Sequence, residues 1–508
     1  MPRPPNIPKR RMSISGKVAP QPNQVATLLQ QGLALHQQGR FKEAQVFYEH
    51  ILDLQSNHFD AMQLLGTLSA QTKQFIKAVE FLVKALQINP NHAEANNNLG
   101  NALKELGRFD EALVSYEKAI SINPDYAEAY SNRGNILKEL KRLDEALISH
   151  DKAICLQNNY AEAYSNRGNV LLQLERLEEA LASYARAITL KPDYAEPNWN
   201  LSLGHLLLGN FEDGWRGYEW RWKIENISQT AGIRSFPQPL WLGVPSLQGK
   251  TILLYAEQGL GDTIQFCRYI PYIAQLGAKV ILEVHPPLVR LLQNLEGVSQ
   301  IIAKGAALPQ FDYQCPLMSL PLAFKTALET IPPIALRITS DINKVTKWQT
   351  QLGEKTKPRV GIVWSGSAIH KNDHNRSLTL SQLLPYLPSK IEFICLQKEI
   401  RETDKALLAQ HGDIKHFGEA LEDFTDTAAL CELMDVVMSI DTGVAHLAGT
   451  LGKPTWVLLP FMPDWRWLLG REDSPWYPSV KLYRQEKGGD WEGVLRKVHT
   501  DLSSLNFA

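Results

Sequence analysis

The sequence predicts an α + α/β chain: a helical repeat array followed by two doubly wound α/β units. Three observations carry that reading. The string AEAYSNRGN stands at Ala127–Asn135 and again at Ala161–Asn169, 34 residues later. All 12 tryptophans lie at Trp199 or beyond, so the two parts follow different construction rules. From Thr251 on, short apolar runs alternate with helical patterns, the texture of parallel sheets covered by helices.

At about 100–200 residues per domain, a chain of 508 residues holds roughly three or four domains. Lys and Arg total 53 against 54 Asp and Glu, a balance that gives no reason to expect a nucleic-acid binder or a membrane-surface binder. No window is apolar for the 18 or more residues of a membrane span. Residues 1–24 are basic, proline-rich and without an apolar stretch, so they read as a disordered tail and not as a secretory signal. Cys155, Cys267, Cys315, Cys395 and Cys431 are odd in number, scattered and never paired as CxxC. That pattern argues against a disulfide framework or a zinc site and fits a reducing, cytoplasmic setting. No metal site and no resident cofactor is expected.

The array is expected over 25–226. Its period starts units near Val25, Phe59, Ala93, Ala127, Ala161 and Ala195. Gly32, Gly66, Gly100, Gly134 and Gly168 share one repeat position, and Ala44, Ala78, Ala112, Ala146 and Ala180 share another. Small residues there let two antiparallel helices approach closely, while Leu99, Leu103, Leu106, Phe109 and Leu113 supply a buried face. Pro90, Pro124 and Pro192 end units. The pattern resembles the tetratricopeptide repeat, which implies an α-solenoid whose groove takes a protein or peptide. The unit near Ala195 is degenerate, with Gly214 in place of the alanine and Trp199, Trp215, Trp220 and Trp222 added. It reads as a terminal unit that docks on the next part of the chain. Asn98, Asn132, Asn166 and Asn200 share one position. Their amides would either bond the backbone of an extended acceptor in the groove or simply belong to the repeat's own packing.

A linker over 227–247 leads to the first α/β unit, 248–357, and then the second, 358–508. Thr251–Ala256, Lys279–Val284, Arg359–Trp364, Ile391–Leu396, Val436–Ile440 and Thr455–Leu459 read as strands, with Val298–Ile302 as a further candidate. Asp490–Leu502 reads as a helix. After the first strand comes GLGDT, Gly259–Thr263. This could open a dinucleotide fingerprint with Glu283 as the ribose acid, but Ile264 replaces the third glycine. Asp262 also has a plainer reading, as a helix-capping residue. After Val436–Ile440 comes DTGVAHLAGTLG, Asp441–Gly452, whose Thr442, Gly443 and Val444 amides would open a helix toward an anion. His446 lies one turn in, and Ala445, Ala448 and Gly449 would let the helix sit close to its sheet.

Together, GLGDT and DTGVAHLAGTLGKP resemble the two signatures of the bacterial heptosyltransferase family, glycosyltransferase family nine. The resemblance covers roughly Gln248 to the C-terminus. It implies a GT-B module of two Rossmann-like domains, metal-independent and inverting, with a nucleotide-sugar in the cleft. By position, Asp262 would be the general base and Asp441 would contact the donor sugar. Thr442, Gly443 and His446 would hold the diphosphate, and Gln397 would lie near the nucleoside. The family's lysine beside a tryptophan is not matched. Lys371 and Arg376 are the cations of the corresponding loop, and Arg376 suits phosphate oxygens better because its guanidinium is a fork. Asp464, Arg466 and Arg484, set among tryptophans, would either line a sugar pocket or belong to an aromatic seam between domains. The order of repeats then GT-B also resembles the layout of O-linked N-acetylglucosamine transferases. The implied function is transfer of a sugar to an acceptor hydroxyl recruited by the repeats. The alternatives are a scaffold whose GT-B domain binds a nucleotide or glycan without turnover, and a dehydrogenase-like domain.

Overall fold

The computed structural model describes residues 22–224, 234, 236–333, 338–369 and 372–505. The basic tail expected over 1–24 therefore lies almost wholly outside the described residues. The chain divides into two compact units, Met1–Leu174 and Glu175–Ala508.

The first unit is a run of helical hairpins: α1 and α2 (Pro22–Gln37, Phe41–Leu54), α3 and α4 (Phe59–Gln71, Phe75–Ile88), α5 and α6 (Ala93–Glu105, Phe109–Ile122), α7 and α8 (Ala127–Glu139, Leu143–Leu156), and α9 (Ala161–Gln173). The small-residue columns explain the close pairing. Ala44, Ala78, Ala112 and Ala146 have no exposed surface. A methyl group added at Gly32, Gly100 or Gly134 would meet the ring of Tyr48, Tyr116 or His150 at 2.6–2.7 Å. Between the two helices of each hairpin one residue has a positive φ: Gly39, Lys73, Gly107 and Lys141 in this unit. Glycine takes that conformation without strain, and a lysine pays about 1–2 kcal/mol. The first helices of successive hairpins touch one another, α3 with α5, α5 with α7 and α7 with α9. Asn98, Asn132 and Asn166 of the asparagine column lie on α5, α7 and α9.

The second unit begins with α10 (Leu177–Leu190), α11 (Ala195–Leu207) and α12 (Phe211–Tyr218), and α12 runs into a 3-10 turn, Glu219–Lys223. The division between compact units thus falls inside the repeats, where the sequence predicts a break over 227–247. Aromatic packing is the reason. Trp215 donates its indole N–H to the carbonyl of Thr326 at 3.1 Å and meets Trp465, Trp476 and Phe266 edge-on. The degenerate repeat therefore docks on the α/β region, and these tryptophans form a hydrophobic seam.

Two parallel sheets come next in the chain. The first has the order β3-β2-β1-β4, from β1 (Thr251–Tyr255), β2 (Lys279–Val284), β3 (Val298–Ala303) and β4 (Tyr313–Pro316). The second has the order β10-β9-β8-β5-β6-β7, from β5 (Arg359–Val363), β6 (Glu392–Cys395), β7 (Ile414–His416), β8 (Val436–Ile440), β9 (Thr455–Leu459) and β10 (Val480–Arg484). All pairings are parallel, and β1, β5 and β8 are interior strands, buried along most or all of their length. Helix α13 (Leu260–Phe266) follows β1, and α14 (Ile342–Leu352) lies in the stretch between the sheets. Helix α15 (Gly443–Thr450) follows β8, and α16 (Trp491–Ser504) closes the chain. No described helix is long and apolar enough to cross a membrane.

Candidate functional site

Ligands in doubly wound sheets sit outside the strand C-termini, and here two such ends face each other. The loop after β1 opens α13, and the loop after β8 opens α15. The two helix starts touch: a methyl group added at Gly261 would stand 3.3 Å from the Gly443 Cα and 2.6 Å from His446 Cδ2. Glycine at 261 is thus what lets the two helix starts meet this closely. Gly261→Ala is expected to force this contact apart, at about 1–3 kcal/mol for an overpacked interior. A lowered Tm, by calorimetry, would show it; an unchanged Tm would refute the close approach.

Asp262 stands at this junction, partly exposed. One carboxylate oxygen accepts the Gly259 amide at 2.8 Å, which is the capping arrangement, and the other pairs with the Arg466 guanidinium. Arg466 is buried and fully engaged. Its other N–H groups donate to Asp464 at 2.7 Å and Gln265 at 2.9 Å, and it lies over the Trp465 ring at 4.2 Å. Burial works against its charge, but Asp464 and Asp262 hold it firmly protonated.

Asp441 ends β8. Burial pushes its carboxyl up, yet the neighbouring His446, with Arg466 and Arg376, holds it below its ordinary value. His446 Nε2 lies 3.7 Å from the carboxylate, Nδ1 shares a hydrogen with the Tyr477 hydroxyl at 2.9 Å, and Trp467 stacks on the ring. Thr442 caps α15 in extended conformation, and its hydroxyl meets Ser439 at 3.0 Å. Arg376 donates to the Asp441 carbonyl at 2.8 Å and comes within 3.7 Å of Asp373. Lys371 lies outside the described residues.

The structure therefore brings Asp262, Asp441, Thr442, Gly443, His446 and Arg376 together. Gln397 is a brace: its side-chain oxygen accepts the Trp364 and Ser365 amides at 2.7 and 3.2 Å, and its nitrogen donates to Ser365 at 2.9 Å. Arg484 donates to the carbonyls of Arg471, Leu468 and Trp467, at 2.5–3.0 Å, and so holds a chain bend instead of lining a sugar pocket. Sequence reasoning missed Arg401, which pairs with Asp373 and reaches Ser377 and the Gly366 carbonyl in the loop that carries Arg376. It also missed Tyr477, Trp467 and Gln265. Buried donors without a hydrogen-bond acceptor among the described residues include Arg376 Nε, whose nearest carboxylate is Asp373 at 3.7 Å, Gln265 Nε2 and Trp467 Nε1. Their residues bond Asp441, bond Arg466 and stack on His446 respectively, a surplus of donors that suits an anion. A cavity of about 260 Å³ opens elsewhere, among Arg290, Asn294, Ser340, Asp341 and Thr425, and none of the sequence-derived site residues lines it. Among the described residues no cluster of His, Cys, Asp or Glu is arranged to hold a metal, and all five cysteines are free.

In the repeats, Asn98 and Asn132 donate to Thr67 at 3.4 Å and Asn97 at 3.0 Å, each on the preceding first helix. Asn200 hydrogen-bonds Tyr184, and Asn166 is half-buried on α9. Packing thus engages Asn98, Asn132 and Asn200.

Comparison with known proteins agrees with the helical half. Tetratricopeptide-repeat models match residues 25–58, 59–92, 81–114, 100–141, 134–175 and 161–194. Residues 25–194 are therefore tetratricopeptide repeats. Protein FlbA of Caulobacter vibrioides is 27% identical over 322 residues, which is 58% of this chain and 53% of FlbA. The chain spans about half the length of that relative. Similar solved structures include YrrB, described as a TPR protein with an unusual peptide-binding site (25% identity, 34% of this chain, 88% of YrrB, TM-score 0.30). Another is pilF of Pseudomonas aeruginosa (20% identity, 41% of this chain, 93% of that chain, TM-score 0.36).

Proposed function

We propose that the chain is a metal-independent, inverting GT-B glycosyltransferase that moves a sugar from a nucleotide-sugar to an acceptor hydroxyl, with the repeats recruiting a protein or peptide acceptor. One observation carries this reading: Asp262 and Asp441 stand at two touching helix starts, among buried donors that lack a hydrogen-bond acceptor. In the step proposed, the Asp262 carboxylate takes the acceptor's proton. The acceptor oxygen attacks the anomeric carbon while the bond to the diphosphate oxygen breaks. The α15 amides, Arg376 and the other donors receive the leaving nucleoside diphosphate. Unpaired cysteines suit a reducing, cytoplasmic setting for this chemistry.

A thermal-shift panel of nucleotide-sugars, with and without chelator, tests the reading. A cognate donor should raise Tm and be turned over, and a strict metal requirement would contradict it. A second reading has its own support, because both Asp262 oxygens are already engaged, by Gly259 and Arg466. On that reading the domain binds a nucleotide and does not catalyse. Binding of a nucleoside diphosphate with no donor turned over would favour it.

Acceptor recruitment has its own test. Asn132→Ala with Asn166→Ala should weaken a protein acceptor by roughly tenfold, at about 0.5–1.5 kcal/mol per bond, and leave hydrolysis of the nucleotide-sugar unchanged. If the double variant instead glycosylates normally and melts several degrees lower, the asparagines serve repeat packing alone.

A further inference from the structure

The 3-10 turn that ends the last repeat supplies a buried cation to the first α/β domain. Arg221 is 1% exposed. It donates to Glu219 at 2.6 Å, Ser319 at 2.7 Å, Glu257 at 3.2 Å and the Tyr218 carbonyl at 3.2 Å. Its guanidinium lies over the rings of Trp222 and Tyr218. Glu257 is the second residue of the loop that leads from β1 to Asp262, and the same carboxylate oxygen accepts the Met318 amide at 3.2 Å. The next residue, Gln258, donates to the Tyr218 hydroxyl at 2.8 Å. Two successive loop residues are thus gripped by Tyr218 and Arg221 of the repeat. Gly259 then bonds Asp262 itself.

Packing does not require this arrangement. Trp215 and its aromatic neighbours already join the repeat to the α/β domain. Two carboxylates around one buried guanidinium are costly to desolvate, and apolar contacts would hold the same surfaces as well. The cluster bears signs of that cost. Glu257 Oε2 and Arg221 Nε have no partner among the described residues. Burial, opposed by Arg221, pushes the Glu257 carboxyl up to about 7. What directional bonds add is register, fixing where the loop leaves β1 and so where Asp262 stands.

We propose that Tyr218, Arg221 and Glu257 are positioning residues, through which the degenerate helical unit that ends at Lys223 sets the loop carrying Asp262. The catalytic consequence rests on the glycosyltransferase reading above, and the loop's conformation does not. The α/β module is complete only with the repeat that ends at Lys223.

The test uses the full chain with Arg221→Met and Glu257→Gln combined, because removing the cation alone would strand two buried carboxylates. Glu219 keeps Trp222 and Ser319 as donors. The bonded amides where the loop enters α13, Gly259 and Thr263, should exchange hydrogen at least tenfold faster than in the wild type, while those of β1 keep their protection. Transfer should lose tenfold or more in kcat with the donor KM within threefold, and the conservative Arg221→Lys should recover much of it. Unchanged exchange at Gly259 and Thr263 overturns the proposal, as does faster exchange with an unchanged kcat. If the wild type turns over no nucleotide-sugar, the glycosyltransferase reading fails while the exchange measurement still decides whether the repeat sets the loop.

Discussion

Asp262→Asn is expected to cut sugar transfer by about 10²–10⁴-fold, the usual range for losing a positioned base, while leaving nucleoside diphosphate affinity within a few-fold. The substitution separates the two roles of this side chain. An asparagine still accepts the Gly259 amide, so the cap survives. It no longer balances Arg466, which keeps Asp464 and Gln265, so the structural cost should stay near 1–3 kcal/mol. Asp262→Ala removes the cap as well and should cost about another 1 kcal/mol. Transfer rates on the full chain, with donor affinity by calorimetry, give the answer. Wild-type turnover by the asparagine variant would leave Asp262 as a cap and ion-pair partner only. Equal losses of affinity and turnover would instead place it on the donor.

How much of the fold and site is legible in the sequence depends on how local the signal is. The repeats are legible because each hairpin writes the same small-residue columns 34 residues apart. The interior strands β1, β5 and β8 are legible as continuous apolar runs, since both faces are covered. β4, β7 and β10 escape notice for the converse reason. They lie at sheet edges, and β7 is the three-residue strand IKH. β10, VKLYR, carries an exposed lysine and ends in an arginine. The two glycine-bearing loops of the site are legible because close backbone approach restricts residue choice nearby in the chain. The side chains that complete the site are not. Arg466 meets Asp262 across 204 residues of sequence, and no local pattern encodes that distance. Arg484 is ambiguous in the sequence for the same reason: a cation among tryptophans fits a ligand pocket or a seam, and only its bonds to three carbonyls make it a brace.

Replacing His150 by Tyr is expected to remove an acid-sensitive weakness from the repeats. Tyr48, Tyr116, His150 and Tyr184 share one position of the 34-residue period. The Tyr116 hydroxyl reaches the Asn101 side-chain oxygen at 2.8 Å. Asn135 occupies the same place one repeat later, but the shorter His150 ring leaves both its nitrogens buried without a partner. Burial, helped by the charges of Lys138 and Arg167, pushes the His150 pKa down to about 3. In the unfolded chain a histidine titrates near 6.5. Between these two values the unfolded chain binds a proton that the folded chain refuses. Stability is therefore intact above about pH 6.5 and lost as pH falls toward 3, at up to about 1.4 kcal/mol per unit. At pH 5 this amounts to roughly 2 kcal/mol. Tyrosine has no such proton to take up, and its hydroxyl would gain the Asn135 bond, worth about 0.5–1.5 kcal/mol. Urea unfolding of the full chain, followed by helical circular dichroism at pH 7.5 and 5.0, reads both effects, since each repeat couples mainly to its neighbours. The variant's helical transition should move less between the two pH values than the wild type's. Carboxylates that titrate in the same range contribute equally to both proteins and cancel in the comparison. If both proteins lose the same stability on acidification, His150 takes up its proton in the folded state.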